Sequence, residues 1–122
     1  MKYPAWSDPK LPRPGEDGFT SKPGELKLAE DLGGRRRLMS GAGELPYDVA
    51  SDLWLVDLKE TRLESYALKR KKLEQLEARA LSEGRQPMFC IVFWSGTHRA
   101  EPWMLVRQST LLGLAELAVK EA

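Results

Sequence analysis

The most restrictive feature of this sequence is an uncharged apolar run that extends from Pro87 to Trp94. It is bounded by a proline at its start and by Ser95-Gly96 at its end. A strand that alternates apolar and polar residues buries one face, whereas a continuous apolar run is typical of a strand buried on both faces. The chain is therefore expected to contain a central strand that is covered on each side.

The segments around this run alternate between helical and strand patterns. Helices are predicted over residues 22–32, 66–83 and 110–120. Strands are predicted around 36–39, in a hairpin-like stretch over 47–61, and over 87–94 and 103–107. With 122 residues the chain has the size of one domain. The pattern predicts an α/β domain in which helices flank a central mixed sheet, in the order α-β-β-β-α-β-β-α.

The N-terminal region differs in composition from the rest of the chain. Residues 1–24 hold five of the eight prolines and show no sustained periodicity. We expect an extended arm over 1–21, pinned by Tyr3, Trp6 and Phe19, and a folded domain over 22–122. The arm is interpreted as a frayed terminus in preference to a segment that wraps a partner subunit or DNA.

Charge and cysteine content restrict the possible functions. The chain has 19 basic and 18 acidic residues, so any nucleic-acid surface must be local. A single histidine rules out a zinc site built from several His and Cys ligands. The lone Cys90 cannot form an internal disulfide, and the sequence starts without an apolar signal segment or a membrane span, so a cytoplasmic location is expected.

Three carboxylates are predicted to converge on one site. Glu25 lies on the apolar face of the first predicted helix, Asp48 just before or within one strand, and Asp57 on the next strand. Lys59 follows Asp57 on the same strand face. Mg²⁺ prefers oxygen ligands, and two aspartates with the carbonyl of Leu58 can hold it beside a phosphate. Lys59 is expected to orient or deprotonate water, or to offset charge on the transition state.

An acid and a lysine separated by one residue are weak signals on their own. The pattern occurs three times, at residues 8–10, 25–27 and 57–59, and only the last lies at the end of an apolar strand. For an isolated triplet, a solvated strand end with a surface ion pair is the simpler interpretation. The additional carboxylates Asp48 and Glu25 favour a catalytic interpretation here.

Taken together, Glu25, the loop over residues 40–43, Asp48 and the segment 57–59 resemble the PD-(D/E)xK nuclease superfamily. Within it, the chain is most similar to the small Holliday-junction resolvases of archaea and their phages, from Glu25 to Val106. The resemblance implies a restriction-endonuclease-like fold and phosphodiester hydrolysis with Mg²⁺, which Mn²⁺ can replace. The catalytic residues it implies are Glu25, Asp48, Asp57 and Lys59, and the metal ligands it implies are Asp48, Asp57, Leu58 and Glu25.

Two positions depart from the family pattern. Tyr47 stands where the motif has proline, although Pro46 is one place earlier, and the second acid is Asp57 where these resolvases more often have glutamate. Neither change removes a ligand. Asp52 is the alternative to Asp48 if the register differs.

Basic residues on both sides of the carboxylates suggest contacts with DNA. The candidates, some by resemblance and some by charge clustering, are Arg35, Arg36, Arg37, Ser40, Tyr66, Lys69 and Arg70. The alternative for the lysine-rich cluster is helical ion pairing, because Glu74 follows Arg70 by four residues.

These observations predict a Mg²⁺-dependent endonuclease that resolves four-way DNA junctions by paired symmetric hydrolysis. Two symmetric nicks require two active sites, so a homodimer is expected, with the apolar C-terminal helix or the Phe93-Trp94 strand as the shared surface. If the chain is phage-encoded, the location is the host cytoplasm. The alternatives are a general phage or repair nuclease on duplex, flap or single-stranded DNA, and a non-catalytic DNA-binding module with the same fold.

Overall fold

The structure, a computed structural model, describes residues 12–37 and 47–121. In chain order the elements are α1 (Lys22–Leu32), β1 (Arg35–Arg36), β2 (Val49–Ala50), β3 (Trp54–Thr61), α2 (Arg70–Ser82), β4 (Gln86–Ser95), β5 (His98–Arg99), β6 (Trp103–Val106) and α3 (Gln108–Glu121). They confirm the predicted α/β class with a mixed sheet.

The sheet is built around a parallel pair of strands. β3 and β4 run parallel and are connected by α2, whereas β1, β2, β5 and β6 join by antiparallel pairing. The order is β1-β2-β3-β4-β5, and β6 also pairs with β4. β3 therefore lies between β2 and β4, which places its polar residues inside the sheet and not at an edge.

The two faces of β3 contribute to different apolar cores. Val56 and Leu58 point toward α1 and pack with Leu28. Leu55 points to the opposite face and packs with Leu76 of α2. The alternation along β3 follows from the two-residue period of a strand, and it confirms the predicted separation of the two faces.

β4 is buried on both faces, as the apolar run predicts. Cys90 packs in the core on the α1 side and Phe89 in the core on the α2 side. Burial raises the pKa of the Cys90 thiol to about 12, so this cysteine is a small core residue.

Some element boundaries differ from the predictions. α2 begins at Arg70 and not at Tyr66, because Tyr66 and Leu68 pack against the second core from a segment that is not helical. The segment predicted as a loop over 95–101 contains β5, which pairs back onto β4 after a turn at Gly96. The predicted strand over 36–39 is β1, and the loop that includes Ser40 lies outside the described residues.

Part of the N-terminal arm packs on the domain. Pro14 is buried, and the ring of Phe19 meets that of Trp94 edge to face at 6.2 Å. Phe19 thus makes the predicted contact, while Tyr3 and Trp6 lie outside the described residues.

The C-terminal helix does not pack into either apolar core. None of the residues of α3 is buried, and α3 makes no extensive contact with another described element. Trp103 on the preceding strand is 72% exposed. In the described part of the chain, no helix has both the length and the apolar character needed to cross a membrane.

Candidate active site

A bulge at the start of β2 determines where Asp48 points. The backbone N–H of Asp48 donates to the carbonyl of Val56 at 3.0 Å, although Val49 is the register partner of Val56. Asp48 and Val49 thus both lie opposite Val56, which is the arrangement of a β-bulge. A β-bulge changes the direction in which a side chain points. The preceding Tyr47 has a φ of 75°, in the left-handed region. Oδ2 of Asp48 accepts a hydrogen bond from the backbone N–H of Leu58 at 2.7 Å.

Asp57 and Lys59 lie on the same face of β3 and form an ion pair. Nζ of Lys59 is 3.1 Å from Oδ1 of Asp57. The carboxylate of Asp57 is 7% exposed, whereas the side chain of Lys59 is 36% exposed. The charged end of Lys59 therefore reaches from a buried carboxylate toward solvent, where a substrate can approach it.

The carboxyl group of Asp48 is difficult to ionise in this position. Burial, followed by the nearby charges of Glu25 and Asp57, raises its pKa to about 7, against the lowering effects of the Leu58 hydrogen bond and the charge of Lys59. Asp48, just before β2, therefore interacts electrostatically with Glu25 of α1 and with Asp57 of β3. A cation bound beside Asp48 would favour its ionised form.

Lys59 stays positively charged at neutral pH. Burial lowers the pKa of its ammonium group, but the charge and hydrogen bond of Asp57 outweigh burial and hold this pKa above its usual value. Of the roles expected for Lys59, stabilisation of negative charge therefore fits the structure better than deprotonation of water.

Glu25 is buried at the inner face of α1 and is already paired. Nε of Arg36, on the adjacent β1, lies 2.5 Å from Oε1 of Glu25. Arg36 thus belongs to the carboxylate site as well as to the predicted DNA-contacting set. The pair reduces the negative charge that Glu25 contributes to the site.

The carboxylates suit a cation with only one or two protein ligands better than a cation enclosed by protein ligands. Within residues 12–37 and 47–121, no group of three or more His, Cys, Asp or Glu side chains is arranged to hold a metal ion. The contacts described above use Oδ2 of Asp48 and Oδ1 of Asp57, which leaves the second oxygen of each for a ligand. Mg²⁺ is commonly held by one or two carboxylates with waters and substrate phosphates. Asp48 and Asp57 therefore fit Mg²⁺, and Glu25, which is paired with Arg36, is the third carboxylate.

Two tyrosines lie near this site. Tyr66, a predicted DNA contact, packs against Phe89 with ring centroids 5.9 Å apart and is near enough to Lys59 to influence its pKa. Tyr47 was not predicted as a site residue. Burial and the charge of Asp57 raise the pKa of its hydroxyl, so it remains a neutral hydrogen-bonding group beside the carboxylates. The only sequence signal for it is its place before Asp48, where the motif has proline.

The predicted DNA-contacting residues differ in their exposure to solvent and in their partners. Arg35, Lys69 and Arg70 are exposed. Arg70 also lies 3.3 Å from Glu74, which is the helical ion pair considered as an alternative. Asp52, the reserve candidate for Asp48, is exposed in the turn at the opposite end of β2.

Arg37 is buried instead of exposed. Its guanidinium donates to both oxygens of Glu83, at 2.7 and 3.0 Å. Arg79 and Arg85 contact the same carboxylate, and the hydrogen bonds and charges of Arg37 and Arg79 lower the pKa of Glu83 to about 2. Arg37 therefore anchors β1 to the end of α2, a role that sequence reasoning missed because Glu83 is 46 residues away along the chain.

Comparisons with protein-family models, with curated proteins and with solved structures find no match to this chain.

Proposed function

We propose that this protein is a Mg²⁺-dependent DNA endonuclease with a restriction-endonuclease-like domain. The observation that carries the proposal is the bulge that turns Asp48 toward the backbone of Leu58, between Asp57 and Lys59. A half-buried aspartate, Asp48, and a buried one, Asp57, beside a lysine that stays cationic, form the kind of site that hydrolyses phosphodiesters.

Each residue of the site has a separate role in the proposed reaction. Mg²⁺, when bound, polarises a phosphoryl oxygen and lowers the pKa of water. Asp48 and Asp57 are the residues that hold it, with the carbonyl of Leu58 as the backbone ligand implied by the family resemblance. Lys59 stabilises the negative charge that develops on the phosphoryl group. Glu25, held by Arg36, completes the set, and Mn²⁺ is expected to replace Mg²⁺.

The proposed substrate is branched DNA, in particular a four-way junction. The exposed Arg35, Lys69 and Arg70 are the candidates for phosphate contacts. Arg37 is not one of them, because its guanidinium is paired with Glu83. The preference for a junction follows from the resemblance to the resolvases. Paired symmetric cleavage needs two active sites and hence a homodimer, and the lone buried Cys90 agrees with action in a reducing cytoplasm.

One observation favours the second candidate, a DNA-binding module without catalysis. Asp48, Asp57 and Glu25 each already accept a hydrogen bond or ion pair from Leu58, Lys59 and Arg36 respectively. A domain whose carboxylates are satisfied in this way can be stable without a cation.

Cleavage of a labelled synthetic four-way junction tests the proposal. The junction and its matching linear duplex are incubated with and without Mg²⁺, using the native chain, Asp57→Ala and the matched control Asp52→Ala. Paired symmetric nicks in the junction alone, lost in Asp57→Ala and kept in Asp52→Ala, are the expected result. Cleavage of both substrates indicates a general nuclease, and tight binding without cleavage indicates the non-catalytic module.

A further inference from the structure

The carboxylate of Glu83, which directly follows α2, has three arginine partners. Arg37, Arg79 and Arg85 each lie 2.6 or 2.7 Å from one of its oxygens, and together with Glu83 they form the arginine cluster. Three guanidinium groups around one carboxylate leave two positive charges without a counter-charge in the cluster. Arg37 alone donates to both oxygens of Glu83, so Arg79 and Arg85 are not needed to balance it. A second anion would reduce the repulsion among the three cations.

The three arginines of the cluster differ in their access to solvent. The side chain of Arg37 is 5% exposed, whereas that of Arg85 is 29% exposed and that of Arg79 is 42% exposed. In the described part of the chain, Arg79 donates only from Nε, and Arg85 donates from Nε to the carbonyl of Ser51 and from Nη1 to Glu83. Both terminal nitrogens of Arg79 and Nη2 of Arg85 therefore remain as donors for a ligand that approaches from solvent.

The arginine cluster and the Asp57–Lys59 pair belong to the same face of the sheet. α2, which carries Arg79, packs through Leu76 on the face of β3 to which Leu55 points. Asp57 and Lys59 follow Leu55 by two and four residues, so their side chains point to this face as well. A nucleic-acid strand bound along this face can therefore reach the arginine cluster and the Asp57–Lys59 pair together.

Asp48 and Tyr47 connect the arginine cluster with the carboxylate site. The backbone N–H of Arg37 donates to the carbonyl of Asp48 at 2.8 Å, so a single arginine side chain spans the distance from Asp48 to the cluster. Tyr47 lies close to both groups, because burial and the charge of Asp57 raise the pKa of its hydroxyl, whereas the charge of Arg79 lowers it. The arginine cluster is therefore adjacent to the carboxylate site.

A phosphate group is the anion best suited to Arg79 and Arg85. Guanidinium groups bind phosphate oxygens through paired N–H donors, and here a shared carboxylate holds two of them side by side. Phosphates repeat along a DNA strand, so a phosphate near the scissile one can reach this position. Arg35 continues the positive surface, because it is exposed and is the register partner of Ala50, which belongs to the core on the α2 side.

We propose that Arg79 and Arg85 bind a backbone phosphate of the DNA strand, next to the phosphate at the carboxylate site. Arg37 and Glu83 act as positioning residues that hold the two guanidinium groups in place. This inference rests on the proposed function and deepens it, since it gives the path of the strand from the carboxylates past Tyr47 to the end of α2. Sequence reasoning did not indicate these contacts, because Arg79 and Arg85 each stand apart from the basic clusters of the sequence.

The salt dependence of DNA binding tests the proposed phosphate site. A labelled four-way junction and its matching duplex are titrated without Mg²⁺, so that no cleavage is required. The double variant Arg79→Gln with Arg85→Gln is expected to bind about 10-fold more weakly at equal salt and to lose about one phosphate contact from the salt dependence. Arg62→Gln is the matched control, because Arg62 has one ion pair, with Glu16 at 3.9 Å, and follows the opposite end of β3. It should leave both quantities unchanged.

Inorganic phosphate provides a second measurement that does not require DNA. Compared with chloride at equal ionic strength, phosphate is expected to raise the melting temperature of the native chain more than that of the double variant. The single variant Arg79→Gln leaves Arg37 paired with both oxygens of Glu83, so it should stay folded and show part of each effect. Circular dichroism checks that every variant is folded at the temperature of the assay.

The outcomes separate this inference from the proposed nuclease activity. An unchanged salt dependence in the double variant overturns the phosphate site, even if the protein cleaves DNA. A reduced salt dependence in a native chain that does not cleave supports the site and contradicts the proposed function alone. If phosphate stabilises the native chain but the chain binds no DNA, the DNA strand is overturned as the ligand, and a small phosphorylated molecule takes its place.

Discussion

The backbone N–H of Leu58 holds the carboxylate of Asp48 at 2.7 Å, so a side chain from β2 is fixed against the middle of β3. This contact brings Asp48 close to Asp57, the neighbour of Leu58, without a direct bond between the two carboxylates. The fold therefore keeps the two carboxylates close enough to repel each other. A protonated Asp48 or a bound cation relieves it.

The stability of the metal-free protein is expected to fall as the pH rises from about 4 to about 7. The pKa of Asp48 is about 7 in the folded chain and 3.8 in the reference state, so over this range the folded state binds more protons than the unfolded state. The stabilisation is complete below the lower pKa and is lost as pH rises through the higher one.

Urea unfolding across this pH range measures the effect. Asp48→Asn keeps a side chain that can accept the Leu58 hydrogen bond and removes the titration, so its stability should depend less on pH than that of the native chain. Added Mg²⁺ should stabilise the native chain above pH 7 and have little effect on the variant. Parallel pH profiles for the two chains would contradict this account of Asp48.

Lys59 is expected to act as a fixed positive charge during cleavage. Lys59→Met should lower the cleavage rate by about 100-fold or more, while Lys59→Arg keeps part of the rate. Because Asp57 holds the pKa of Lys59 above its usual value, neither variant should remove an inflection near neutral pH from the rate profile. Loss of such an inflection in Lys59→Met would instead assign Lys59 as the base.

Arg35 and Arg37 are expected to give opposite phenotypes. Arg37→Ala removes the bidentate partner of Glu83, while Arg79 and Arg85 still contact this carboxylate, so it should destabilise the fold by about 1–3 kcal/mol. Arg35→Ala should leave stability unchanged and reduce the salt dependence of DNA binding by about one phosphate contact.

Thermal melts and salt titrations of junction binding separate the two arginines. The low pKa of Glu83, about 2, also means that the stability contributed by this carboxylate is present above its usual pKa of 4.5 and is lost as pH falls toward 2. If the Arg37→Ala variant is stable and its DNA binding depends less on salt, Arg37 contacts DNA after all.

Gly34 is expected to be required for the packing of the turn between α1 and β1. A Cβ at this position would lie 2.3 Å from the carbonyl oxygen of Ala50, a backbone atom that cannot move aside easily. Gly34→Ala should therefore destabilise the fold by about 1–3 kcal/mol. Gly113→Ala is the control, because its Cβ would meet nothing within 4 Å and alanine favours a helix. Equal melting temperatures for the two variants would refute the steric argument.

Local patterns in the sequence were sufficient to predict much of the fold. α1 spans the predicted residues 22–32, and Gly33 in the αL conformation ends it. The pairing of Asp57 with Lys59 follows from their spacing, because residues two apart on a strand share a face. The continuous apolar run likewise predicted that β4 is buried on both faces.

Other features depend on contacts between distant segments, and only the tertiary structure decided them. The bulge that redirects Asp48, the pairing of Glu25 with Arg36 and the burial of Arg37 against Glu83 all join segments that are separate in the sequence. The same holds for α3, which the sequence predicts as a helix and as one of two candidate shared surfaces, and whose residues the structure leaves without burial. Residue spacing determines which side chains share a face, whereas packing between elements determines the partner that each face meets.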